Sequence, residues 1–214
     1  MFQIDDAMRN DIRRAVGDLE KSTSGELVCV VTRSSARYLL FPLLWAALVA
    51  LALPALNPLL KLANQHGFTV TFAVQSLSFL MLAALFLLTP LRLAVTPKSV
   101  LMDNCRRSAR EQFFAQKLHE TKKRAGLLLF VSVDERYVEL LADTGINDLV
   151  RAGEWSGIID AFAADIRAGQ VHTGFLTAIR SCKAILAKHM PETRKTSNEL
   201  SDNLVELPDS GFIS

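Results

Sequence analysis

The chain has 214 residues, and its 24 lysine and arginine residues nearly balance 22 aspartate and glutamate residues, for a formal net charge of +2. No basic stripe with interleaved aromatic residues is present, so no nucleic-acid partner is expected. Half of the residues are hydrophobic, which is a high fraction for a soluble domain, and the excess lies in one part of the chain.

The first predicted elements are one helix and one strand. Apolar residues recur at helical spacing from about Asp5 to Lys21 and predict a helix. The run ELVCVVT at Glu26–Thr32 predicts a buried strand. One helix and one strand cannot bury their apolar faces alone, so the rest of this domain must come from later in the chain.

Two long runs without charged residues follow, at Tyr38–Leu60 and Leu62–Leu91. A helix needs about 20 apolar residues to cross a membrane, so each run is long enough. We therefore predict two membrane spans, at residues 39–56 and 68–88, because the alternative of a buried helical hairpin rarely uses such long uncharged runs. No ionisable residue lies inside either span, which favours an anchor over a transporter or ion pathway. The residues that mark the turn between the spans are Pro54, Asn57, Pro58, His66 and Gly67.

Basic residues flank the predicted spans, whereas the connecting loop carries only Lys61 and His66. The positive-inside rule therefore places both soluble flanks and both termini in the cytoplasm, with the lipid bilayer as a partner. The run RRSAR at 106–110 suits either anionic lipid or a solvated helix face. The flanking basic residues are Arg33, Arg37, Arg92, Lys98, Arg106, Arg107 and Arg110.

A helix and a strand hairpin are predicted after the second span. Ser99–Glu120 is typical of a helix, and Gly126–Val133 is almost continuously apolar, like a strand covered on both faces. The charged turn Asp134-Glu135-Arg136 leads into a second strand, Tyr137–Ala142. So short a connection permits only an antiparallel hairpin.

Two apolar stripes at helical spacing predict the last helices, at Trp155–Ile166 and Phe175–Leu186. Residues 191–214 are predicted to form a disordered polar tail, in which LVELPD is a candidate docking segment. Three widely spaced cysteines, Cys29, Cys105 and Cys182, lack paired metal-ligand spacing and favour reduced core thiols.

Several of these runs together resemble the TPM domain family. They are GELVCVVT, then GLLLFVSVDERYVELLADTGI after a long gap, then EW-x2-II and G-x4-G-x3-AI from Gly169 to Ile179. The pattern is most similar to bacterial predicted membrane proteins in which a two-span hairpin interrupts the domain, which implies the bacterial inner membrane.

The resemblance implies an α/β fold, a mixed four-stranded sheet with helices on both faces. The domain would consist of residues 1–35 and 98–190, separated by a transmembrane hairpin at 36–97 and followed by the tail. Glu26–Thr32 would then join a sheet whose other strands lie about a hundred residues later.

Five carboxylates stand at predicted strand ends and turns, where a rigid sheet positions functional loops. Hard cations prefer such oxygen ligands, so a divalent cation, Ca²⁺ or Mg²⁺, is a candidate cofactor. The alternative is that they are turn and cap residues. We expect any ligand to bind near Asp143, Gly145 and the Asp134-Glu135 turn. The five candidates are Glu26, Asp134, Glu135, Asp143 and Asp148.

Two functions remain open. The first is a membrane-anchored, non-catalytic interaction or assembly module, with another membrane or cytoplasmic protein as partner. The second, implied by the resemblance, is a divalent-cation-binding, phosphatase-like hydrolase at the cytoplasmic membrane surface. The sequence has no P-loop, nucleophile elbow, HExxH or Cys–His pairing, so no catalytic residue can be assigned.

Overall fold

The computed structural model describes residues 4–63, 69–191 and 204–207. The chain divides into two compact units: residues 1–36 with 102–214, and residues 37–101. The helices are α1 (Asp6–Glu20), α2 (Leu40–Ala52), α3 (Asn57–Ala63), α4 (Phe72–Leu88), α5 (Leu91–Ala94), α6 (Lys98–Ala115), α7 (Thr144–Asn147), α8 (Ala152–Arg167) and α9 (Val171–His189).

The first unit contains a mixed sheet, which in the described residues has four strands in the order β3-β2-β1-β4. β1 and β2 run parallel, with Glu26 opposite Gly126, while β2 and β3 form the expected antiparallel hairpin. β1 and β2 are almost entirely buried, which explains why their sequences are continuously apolar. The predicted α/β class with a mixed four-stranded sheet is confirmed. The strands are β1 (Glu26–Thr32), β2 (Gly126–Ser132), β3 (Tyr137–Ala142) and β4 (Val205–Glu206).

The fourth strand lies in the predicted polar tail, within the run LVELPD that the sequence offers as a candidate docking segment. β4 pairs in parallel with β1, with Val30 opposite Val205 and Val31 opposite Glu206. A two-residue strand leaves too little alternation for the sequence to reveal, and only the neighbouring edge of β1 gives it hydrogen-bond partners. The tail residues 192–203 and 208–214 lie outside the described residues.

Helices cover both faces of the sheet. On one face, Leu27 and Leu129 belong to a core that includes α1, α8 and α9. On the other, Val28 and Leu128 pack in a smaller core with Ala109 of α6. The two cores alternate along each strand because successive side chains of a strand point to opposite faces.

The second unit carries the apolar runs. Its helical segment Leu40–Leu60 has 21 residues, and its most apolar stretch of 18 residues has a mean hydropathy of 2.0. Only 11% of that stretch is buried within the protein, so by length and composition the segment could cross a membrane. The segment continues past its predicted end at residue 56. Pro54, which the sequence placed in the turn between the spans, stands at the start of a 3-10 turn, Leu53–Leu56, where a missing N–H costs little. The second predicted span corresponds to a shorter apolar helix, α4, with 17 residues. His66 and Gly67 lie outside the described residues.

Candidate functional site

The structure separates the predicted site residues into two groups at opposite ends of the sheet. The Asp134-Glu135 turn follows β2, whereas the backbone N–H of Asp143 donates to Gly126 O at 2.9 Å, beside the start of β2. A hairpin must place its turn and its two free ends apart, and strands of this length put about 20 Å between them. The expectation that Asp143 and the Asp134-Glu135 turn gather at one site is therefore wrong.

Glu135 is the centre of a hydrogen-bond network at the turn end of the sheet. Its Oε1 accepts hydrogen bonds from Ser34 Oγ and from the backbone N–H of Ser35, both at 3.0 Å. Its Oε2 accepts one from Ser132 Oγ at 2.6 Å. Ser35 Oγ in turn donates to Ser132 Oγ at 2.9 Å. We call Ser34, Ser35, Ser132 and Glu135 the serine–glutamate cluster.

The cluster lies where the parallel strands β1 and β2 both end. Beyond the strands, Val133 N donates to Thr32 O at 3.1 Å and Asp134 N to Arg33 O at 2.9 Å. The side chains of Arg33 and Asp134 form a half-buried ion pair at 3.7 Å. These contacts hold the chain leaving β1 against the hairpin turn.

A second polar group borders the cluster between α6 and β3. Tyr137 Oη donates to Glu139 Oε2 at 2.9 Å. Burial raises the pKa of Glu139, although the Tyr137 hydroxyl and the charges of Arg106 and Arg110 oppose the shift. Burial also raises the pKa of the Cys105 thiol to about 12, with Ser35 and Ser132 partly offsetting it. Cys105 is therefore a protonated core thiol at neutral pH and a poor nucleophile.

The other two cysteines are also free and buried, as the sequence predicts. Burial raises the pKa of Cys182 to about 12 and that of Cys29 well above its usual value. No thiol chemistry is favoured at either position.

Asp143 has structural contacts at the opposite end of the sheet. It is the N-cap of α7, and its Oδ1 accepts a hydrogen bond from Thr144 N at 2.7 Å. Its Oδ2 forms an ion pair with Arg124 Nε at 3.0 Å. Gly145 belongs to the same corner, because a side chain there would meet the backbone oxygen of Lys123 at 2.3 Å.

The remaining candidates are placed differently. Glu26 begins β1 and is half-buried at the same end of the sheet as Asp143, whereas Asp148 follows α7 and is exposed. Among the described residues, no three His, Cys, Asp or Glu side chains are grouped so that they could hold a metal ion.

The predicted membrane-flanking basic residues also differ in their surroundings. Arg92 is only 9% exposed and Arg33 pairs with Asp134, so these two have contacts within the protein. The other five side chains are exposed, and Arg106 also lies 4.0 Å from Asp103. The exposed members are Arg37, Lys98, Arg106, Arg107 and Arg110.

Sequence reasoning missed the serines of the cluster. Ser34 and Ser35 directly follow one buried apolar strand, and Ser132 is the last residue of the other. The available signal for the cluster was the presence of small polar residues at the ends of two strands. These strands are parallel neighbours in the sheet. The signal becomes informative only once the pairing of β1 with β2 is known.

Comparisons with known proteins agree with this fold. Residues 91–185 match the family model of the TPM domain. The NMR structure of the BA42 protein from the psychrophilic bacterium Bizionia argentinensis has the same fold, with a TM-score of 0.59 and 17% sequence identity over 96% of each chain. No curated protein matches the chain. The chain therefore carries a TPM domain, which the family model places at residues 91–185.

Proposed function

We propose that this chain is a non-catalytic interaction or assembly module of the bacterial inner membrane. The observation that carries the proposal is the engagement of its strand-end carboxylates in structural contacts. Glu135 accepts three hydrogen bonds, Asp143 caps a helix and pairs with Arg124, and Asp134 pairs with Arg33. Carboxylates used in this way position backbone segments and are poorly placed to bind a substrate or metal.

Membrane anchoring is the second part of the proposal, and the apolar unit supports it. Many large apolar side chains of Leu40–Leu60 are exposed, among them Leu40 at 71% and Leu51 at 68%. Exposed apolar surface on this scale needs a lipid or protein cover. Leu40–Leu60 and α4 form the two spans of an anchor in this proposal, and the partner is a membrane or cytoplasmic protein.

The competing function is a divalent-cation-binding, phosphatase-like hydrolase. Such an enzyme uses a bound metal to orient water and to neutralise phosphate charge. The separation of Asp143 from Asp134 and Glu135 argues against a shared metal site. A Ca²⁺ or Mg²⁺ ion held by Asp143 would need further ligands beside it.

The two functions are distinguished by assaying the full chain in lipid nanodiscs. We expect no Mg²⁺- or Ca²⁺-dependent release of phosphate from p-nitrophenyl phosphate and no cation-dependent rise in melting temperature. Asp143→Asn keeps a favourable N-cap residue but weakens a cation ligand, and Asp148→Asn is the matched exposed control. Cation-dependent turnover that Asp143→Asn removes and Asp148→Asn retains would overturn the non-catalytic proposal.

A further inference from the structure

The outer edge of β1 is covered by a short segment from far along the chain. Val205 and Glu206 pair with Val30 and Val31, and Leu207 N donates to Val31 O at 3.0 Å. In the described residues, β4 therefore covers only the carboxyl-terminal end of this edge. A strand edge presents backbone donors and acceptors that any extended peptide can use.

The other end of the same edge is closed by a side chain. Glu20 Oε1 accepts a hydrogen bond from Leu27 N at 3.2 Å, so this N–H is not offered to an incoming strand. The edge thus accommodates a segment of about four residues, which is the length that residues 204–207 supply.

The side chains of this segment show what the edge recognises. Leu204 packs against the larger core, whereas Val205 and Leu207 pack against the smaller core on the opposite face. Glu206 forms an ion pair with Arg9 of α1 at 2.5 Å. The edge therefore accepts an extended peptide with the pattern apolar, β-branched, acidic, apolar.

Further positive charge lies beside the segment. A cavity of about 450 Å³ next to Leu204 is lined by Arg9, Arg13, Asn10 and Asp6. Because Arg9 already pairs with Glu206, Arg13 is the additional cation, and it lines the cavity together with Asp6. Arg13 favours an acidic residue in a peptide longer than the four residues that pair.

We propose that the β1 edge binds an extended peptide of a partner protein with this pattern, and that residues 204–207 are its intramolecular competitor. This inference rests on the proposed interaction function and names the class of partner. A competitor in the same chain acts at an effective concentration on the order of millimolar. A partner peptide must therefore displace β4 before it can bind. The fraction of chains that bind the partner peptide falls as β4 binds the edge more strongly.

The test uses a fluorescent peptide with the sequence of residues 202–209, DNLVELPD, and the full chain in nanodiscs. Two variants weaken the internal segment: Val205→Asp, which places a charge in the smaller core, and Glu206→Arg, which opposes Arg9. We expect each variant to bind the peptide at least tenfold more tightly than the wild type by fluorescence anisotropy. Absence of binding to both variants would overturn the proposal.

A charge exchange tests the location of the site. Arg9→Glu, combined with Val205→Asp, should weaken binding of this peptide, and a peptide carrying Glu206→Arg should restore it. Arg14→Glu is the matched control, because Arg14 is exposed on the same helix and pairs with Asp11. Binding that is insensitive to Arg9→Glu would show that the peptide binds elsewhere and would overturn the assignment.

A second copy of the chain is the competing occupant. Dimerisation of the wild type that Val205→Asp abolishes would indicate exchange of the segment between copies and would overturn the partner-peptide proposal. A monomeric wild type supports it. Phosphate release in the nanodisc assay would refute the non-catalytic function independently of these binding results.

Discussion

Glu135 joins two segments that lie a hundred residues apart in sequence. Its carboxylate accepts hydrogen bonds from Ser34 and Ser35 after β1 and from Ser132 at the end of β2. Charged acceptors form stronger hydrogen bonds than neutral ones. One side chain thereby fixes the chain at the point where it leaves the sheet for the apolar unit.

Glu135→Ala should lower the free energy of unfolding by about 1–3 kcal/mol, because it leaves the buried Ser132 hydroxyl and its neighbours without their acceptor. The measurement is thermal or chemical unfolding of the full chain in detergent. Asp148→Ala removes an exposed carboxylate and should change stability much less. Equal effects of the two substitutions would contradict a structural role for Glu135.

Ionisation of Glu139 is disfavoured in the folded state, because its carboxyl group is partly buried. Burial raises its pKa above the usual 4.5, so the folded state favours the protonated form. The contribution of this group to stability is complete below the unfolded-state pKa and is lost as pH rises through the folded-state pKa.

Glu139→Gln should therefore become more stable relative to the wild type as pH increases from about 4 to about 7. Glutamine can still accept from the Tyr137 hydroxyl and does not ionise. Melting temperatures of both proteins at the two pH values test this expectation. A difference that is constant with pH, or that changes in the other direction, would show that Arg106 and Arg110 outweigh burial.

Two helical glycines, Gly145 of α7 and Gly157 of α8, differ in the space that surrounds them. At Gly145, a Cβ would lie 2.3 Å from Lys123 O and 2.7 Å from Arg124 O, both backbone atoms, whereas at Gly157 in α8 it would meet nothing within 4 Å. Backbone atoms cannot move aside as a flexible side chain can. Gly145 is thus needed for the close approach of α7 to the segment before β2.

Gly145→Ala should destabilise the protein by about 1–3 kcal/mol through overpacking. Gly157→Ala should stabilise it by about 0.5–1 kcal/mol, since alanine loses less entropy than glycine in a helix. The unfolding midpoints of the two variants should therefore shift in opposite directions. Shifts in the same direction would contradict the packing of α7 described above.

The arrangement of the chain as a whole leads to a prediction about the membrane. The chain leaves the sheet after β1 and returns to it at β2. In a chain anchored by the proposed spans, both parts of the sheet must therefore lie on one side of the membrane. An even number of spans satisfies this requirement, and the basic flanks favour the cytoplasmic side.

Reporter fusions at Ser214 should accordingly be active only when the reporter functions in the cytoplasm. Replacing Lys98, Arg106 and Arg107 together with glutamine should weaken this orientation, because the exposed positive charges that direct it are lost. Activity of an exported reporter at Ser214 in the wild type would overturn the predicted topology.

The local elements could be predicted from the sequence because their signals are local. Apolar periodicity placed α1, which spans Asp6–Glu20, and continuous apolar runs placed β1 and β2. The charged turn between Val133 and Tyr137 specified an antiparallel hairpin, since three residues cannot make a parallel crossover. Helix ends near Pro54 were less predictable, because a proline in a first turn does not break a helix.

Only the tertiary structure decided which of these elements meet. The serine–glutamate cluster depends on the pairing of β1 with β2 across a hundred residues, and β4 depends on a free edge that no local pattern reveals. The five candidate carboxylates were identified by their positions near strand ends, but strand direction determines to which end each belongs. Residue type and local periodicity carry no information about that direction, so their separation into two groups followed from the sheet alone.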